Sequence, residues 1–158
     1  MFVNSIAGNL RNFSHASTVV LLPMLYPMEV SMPTIFERIA NGEIPCHKIW
    51  EDERHLAFLD INPRVEGHTL LIPKHPWFEI FAMDSEPYQA LWEAAQTVAR
   101  HLKERTGCAR VVSVVLGYDV PHVHIHLMPT NTLEEFPFPP VDEAALARIE
   151  ETASRLRA

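Results

Sequence analysis

The sequence predicts an α+β domain of five strands and three helices, and three observations carry that prediction. Residues 122–129 alternate histidine with apolar residues (His122-Val123-His124-Ile125-His126-Leu127-Met128-Pro129), which is the period of a strand. Leu91, Ala94, Ala95, Val98 and Leu102 recur at helical spacing between Asp84 and Gly107. Short strand-like runs bounded by turn residues lie on both sides of that helix, so strands and helices are mixed along the chain.

The elements follow in order. Residues 1–31 hold one cation, Arg11, and one acid, Glu29, with no sustained amphipathic pattern; neither a secretory signal nor a transit peptide is convincing there. The expectation is that Met32 begins the functional domain, spanning 32–158, and that 1–31 is a poorly structured extension or an upstream start. Thr34-Ile35-Phe36-Glu37 is a capping box, with Ile35, Phe36 and Ile39 at helical spacing and Gly42 as the stop. Residues 46–51 and 55–60 read as a hairpin turning at Asp52-Glu53-Arg54. A third strand covers His68 to Ile72 and ends at Pro73. The long helix is capped by Asp84 or Ser85, tolerates Pro87 in its first turn, buries Trp92 as core and stops at Gly107. Residues 110–116, nearly all β-branched or leucine, predict a buried strand that turns at Gly117-Tyr118-Asp119 and pairs antiparallel with the histidine strand. Pro129 should end that strand. After Pro137–Pro140, Asp142 caps a last helix with Leu146, Ile149, Ala153 and Leu156 on one face.

Composition narrows the function. The 158 residues suffice for one domain with a real core. A formal net charge of −7 argues against a broad nucleic-acid or anionic-membrane surface, so any phosphate must be captured by a local pocket. Cys46 and Cys108 form neither a disulfide scaffold nor a Cys-x-x-Cys motif, which fits a reducing compartment, and the apolar run from Thr18 to Tyr26 is too short to span a bilayer.

Three uses of the histidine stretch compete. The rings could be satisfied structural histidines. They could bind zinc, which imidazole suits, although positions i to i+4 of one strand span about 13 Å. Or one histidine could be the nucleophile of phosphoryl transfer while its neighbours hold phosphate oxygens and protons.

The stretch His122 to Met128 resembles the motif of the histidine triad family. Ile35-Phe36, Gly42-Glu43-Ile44-Pro45, Phe58-Leu59-Asp60-Ile61-Asn62-Pro63 and Gly67 to His75 are similar to further family landmarks, in the same order. The likeness spans roughly residues 33–130, and Gly117 to Pro121 is similar to the turn of a bacterial subgroup. The resemblance implies a mostly antiparallel five-stranded sheet, a homodimer through the long helix and a strand, and hydrolysis or transfer at the α-phosphate of a purine nucleotide adduct such as an adenosine 5′-phosphoramidate. A dinucleoside polyphosphate hydrolase, or a nucleotide-binding regulatory module with slow turnover, are the alternatives. By position it makes His124 the nucleophile, puts His126 on the phosphate oxygens, sets His122 beside the nucleophile and makes His68 the histidine that orders the triad. Asp60 would accept from the ribose hydroxyls, and Phe36, Ile39 and Ile44 would sandwich the base. No metal or cofactor is required, the location implied is cytoplasmic, and neither nucleic acid nor membrane is a partner.

Two departures matter. Ser113 to Asp119 replaces the Gly-rich loop of many members, and Asp119 falls where a hydroxyl or amide often assists the leaving group. Asp119 would be a general acid or would favour an amine leaving group. The Cys-x-x-Cys of zinc-carrying relatives is missing, with Pro33 and Phe36 near those positions, so zinc is not expected.

Overall fold

The computed structural model describes residues 32–136 and 139–157; the expectation for residues 1–31 lies outside them. Helix α1 (Ile35–Ala40) is followed by strands β1 (Lys48–Glu51), β2 (His55–Leu59) and β3 (Thr69–Pro73). The long helix α2 (Ser85–Thr106), strands β4 (Arg110–Val114) and β5 (Ile125–Thr130), and helices α3 (Glu143–Leu146) and α4 (Ile149–Leu156) complete the order. The five strands form one antiparallel sheet in the order β1-β2-β3-β5-β4, as the α+β prediction requires. Among the described residues no helix is long and apolar enough to cross a membrane.

Local chemistry sets the boundaries. The Thr34 hydroxyl accepts from the Glu37 amide and the Glu37 carboxylate accepts from the Thr34 amide, so the predicted capping box is formed. The hairpin turns where Asp52 accepts from the Arg54 and His55 amides. Gly107, in the left-handed region at φ 69°, ends α2 by donating to Lys103. Leu91, Ala94, Ala95, Val98 and Leu102 pack with Val123, Ile125 and Leu127 into the main core, on the sheet face opposite the histidines. Trp92 is only half-buried against that core. On the other face Phe36 lies over Leu56, Phe58, Leu70 and Ile72.

Three expectations need correction. First, the alternating stretch is strand only from Ile125: the His122 and Val123 amides donate to Val120 and Trp77, because the chain leaves the sheet to meet the turn after β3. At its other end β5 continues through Pro129 to Thr130. The last β3 pair is Thr69 with Leu127, so Pro129 lies beyond that ladder, and its ring packs over Gly67, where a Cβ would lie 3.2 Å from Pro129 Cγ. Second, β4 is a half-exposed edge strand rather than a buried one, and it stops at Val114. Its β-branched composition reports strand propensity, which edge and centre share. Third, the last helix is two short helices broken near Ala147 and Arg148, and Leu146, Ile149 and Leu156 are exposed. Asp142 caps the first as predicted, its carboxylate accepting from Ala145.

Candidate active site

A cavity of about 750 Å³ opens over the histidine face of the sheet. Its apolar wall comes from α1 and the segment after it, with Phe36, Ile39 and Ile44, and from Phe58 and Leu70 of the sheet. Asp60, just past the end of β2, and the loop 116–120 carry the rest of the rim. His68, His124 and His126 face this space together.

Hydrogen bonds fix which nitrogen of each ring carries a proton. The His124 Nδ1–H donates to the His122 carbonyl at 2.7 Å, so in the neutral ring the bare lone pair lies on Nε2. The Arg64 amide donates to His68 Nδ1 at 3.2 Å. His68 therefore carries its proton on Nε2 and donates it to His126 Nδ1, 2.9 Å away. In the neutral His126 ring the remaining proton lies on Nε2. Burial first, and then the neighbouring His124 and His68 rings, pull the His126 pKa down to about 4, so that neutral state holds near pH 7. Burial lowers the pKa of His68 as well, against the pull of Asp60. The His124 and His126 ring centroids are 5.0 Å apart, and the edge of Phe36 meets His124 at 5.0 Å. In their neutral states the two rings set an imidazole lone pair beside an imidazole N–H donor, a pair whose chemistry suits nucleophilic attack and the holding of negative oxygen.

Other predicted residues take different places. His122 is fully buried behind the cavity wall: its Nε2–H donates to the Pro73 carbonyl at 2.8 Å, and burial pushes its pKa down. It touches the cavity only through His124, because the chain has turned out of the sheet at that point. Asp60 accepts from the Asn62 amide through one oxygen, and its other oxygen lies 3.6 Å from His68 Nδ1. Both the turn role and a carboxylate facing the cavity are therefore present. Asp119 is exposed on the rim.

The triad does not converge on one point, as its strand spacing foretold. A different set does: Asp60, His68 and His126 bring one oxygen and two nitrogens within 4.8 Å of one another. Spacing along the sequence could not reveal this set, since Asp60 and His68 flank a loop and His126 joins them only through β3–β5 pairing. The facing nitrogens of the two rings are committed to the hydrogen bond between them. Sequence reasoning also missed Arg64 and the half-buried Cys46 on the cavity wall, where burial keeps the thiol above its usual pKa.

Comparison with known proteins places the chain by family and fold. The HIT domain model matches residues 41–133. An uncharacterised HIT-like protein of Methanocaldococcus jannaschii is 41% identical over 99 residues, covering 60% of this chain and 77% of the relative. The crystal structure of SMU.412c from Streptococcus mutans UA159 superposes with a TM-score of 0.66 at 31% identity, covering 81% of this chain and 88% of that one. A HIT family hydrolase from Legionella pneumophila Philadelphia 1 gives a TM-score of 0.57 at 30% identity, over 69% of this chain and 100% of its own.

Proposed function

The chain belongs to the HIT family, and from that premise we propose that it cleaves nucleotides at the α-phosphate through a nucleotidyl-His124 intermediate. One observation carries this reading: His124 presents an unprotonated Nε2 to a cavity in which His126 offers a proton on its own Nε2. The His124 lone pair attacks phosphorus, the bond to the leaving group breaks, and that group departs with the electron pair and collects a proton. Water then attacks the same phosphorus and gives up a proton to solvent, matching the one the leaving group took from solvent. The P–N bond breaks with its electron pair returning to Nε2, and the nucleoside monophosphate leaves with His124 neutral again. His126 stabilises the phosphoryl oxygens throughout.

Phe36, Ile39 and Ile44 supply an apolar slot for a base, read by shape more than by hydrogen bonds, and Asp60 supplies an acceptor for the ribose hydroxyls. The exposed Asp119 carboxylate on the rim favours an amine leaving group over a polyphosphate, which it would repel. An adenosine 5′-phosphoramidate is therefore the expected substrate class. The half-exposed edge of β4 beside α2 supports association into a homodimer.

The test compares turnover of adenosine 5′-phosphoramidate and a diadenosine polyphosphate, with chelator present, for the wild type and His124→Ala. Chelator-resistant release of nucleoside monophosphate, faster from the phosphoramidate and lost in the variant, is expected. Turnover that survives in His124→Ala, or that the chelator abolishes, would overturn the covalent mechanism.

A further inference from the structure

Thr34 sits where the first turn of α1 meets the triad. A buried neutral imidazole has one donor and one acceptor, and leaving either unpaired is unfavourable. In His122 the Pro73 carbonyl takes the Nε2–H, which leaves Nδ1 in need of a donor. The Thr34 Oγ lies 3.1 Å from that nitrogen. The same oxygen accepts from the Glu37 amide at 3.1 Å, closing the helix cap. A hydroxyl can accept from the helix and donate outward from one atom, whereas an ionised carboxylate can only accept.

The next contact is the His122 carbonyl, which receives the His124 Nδ1–H and leaves Nε2 bare. Phe36, two residues after Thr34, meets the His122 and His124 rings edge-on at 5.9 Å and 5.0 Å. Helix α1 is thus tied to the triad by a hydrogen bond at its cap and by a ring in its first turn.

We propose that Thr34 is a positioning residue for nucleotidyl transfer, holding His122 in its Nε2–H tautomer and thereby aiming His124 Nε2 at phosphorus. The proposal rests on the reading of His124 as nucleophile. Three variants separate the roles of the hydroxyl: Thr34→Ser keeps both bonds, Thr34→Asp keeps only the helix cap, and Thr34→Val keeps neither. Two readouts are taken on the full chain: the imidazole ¹⁵N shifts of His122, and the single-turnover rate of nucleotidyl transfer to His124 from adenosine 5′-phosphoramidate.

Thr34→Ser should stay within about twofold of wild type, while Thr34→Asp and Thr34→Val slow transfer about tenfold or more with substrate affinity changed less than about threefold. In the two slow variants the His122 nitrogens should leave the Nε2–H pattern. A Thr34→Asp protein that transfers at the wild-type rate would overturn the proposal, as would slow variants with unchanged His122 shifts. If the wild type forms no nucleotidyl-His124, the nucleophile reading fails instead. The His122 shifts then still decide whether Thr34 sets that tautomer, and unchanged shifts in Thr34→Val show that it does not.

Discussion

Histidine is buried in two parts of this sheet, with opposite outcomes. His55, at the start of β2, is 4% exposed and has its Nδ1 3.1 Å from both oxygens of Asp52. The pairing closes a turn. Although partial burial opposes it, hydrogen bonds from the His55 ring and from the Arg54 and His55 amides hold the Asp52 carboxyl below its usual range. His124 is buried almost as deeply, at 6% exposed, and it too is bonded through Nδ1, but its ring lines the cavity beside His126 whereas His55 lies away from it. Depth of burial does not separate the two imidazoles; what separates them is the partner at Nδ1, a carboxylate in a turn for one and a backbone carbonyl for the other, and the cavity that only His124 faces.

That contrast can be broken at either end. The largest effect is expected for His124→Ala, which should lower turnover by about a thousandfold or more while leaving the thermal midpoint nearly unchanged. Loss of folding with retained specific activity would reverse the assignment. His68→Gln removes the ring that donates to His126 and should slow turnover about tenfold, with the effect in kcat rather than KM. At the structural end, His55→Ala should cost about 1–3 kcal/mol in a denaturant titration and leave activity per folded molecule intact. A kinetic defect there would erase the distinction.

The pH dependence is the mildest test. The folded pKa of His126, about 4, lies below the value of about 6.5 for a free imidazole, so the unfolded chain binds more protons between them. Stability is therefore fully present above about pH 6.5 and declines as pH falls toward 4; His68 and His122, shifted the same way, add to the slope. Proton NMR should show the His126 ring neutral until about pH 4. Titration near 6.5 would mean that its surroundings are wet.

Much of this was legible in the chain. Period two at 123–127 gave the core face, and the capping box and Gly107 gave helix limits, because each is a local rule with a local cause; Asp84 holds the N-cap position of α2, one of the two residues expected there, but its side chain makes no capping bond. The cavity walls were named from the likeness to known sequences rather than from periodicity, since an apolar residue such as Phe36 reads the same in a core and in a slot. What escaped was non-local. The edge position of β4 depends on which strand ends the sheet. The break in the last helix falls at Ala147 and Arg148, which are exposed among the described residues. Thr34 and His122 are 88 positions apart, and the box at 34–37 is a complete explanation of Thr34 until the ring is seen beside it.

Gly67 gives the sheet a further property. It combines a left-handed φ of 79° with a neighbour, the Pro129 ring, that a methyl group would have to displace by a few tenths of an ångström. Leu70 and His126 are paired three residues further along the two chain segments. Gly67→Ala would consequently act as a fine adjustment made from outside the pocket. By pressing on the end of β5 it would act on the strand that carries His126 while leaving every side chain that lines the cavity in place. The packing of a glycine against a proline ring thus ties the loop before β3 to the far end of the strand that carries His126.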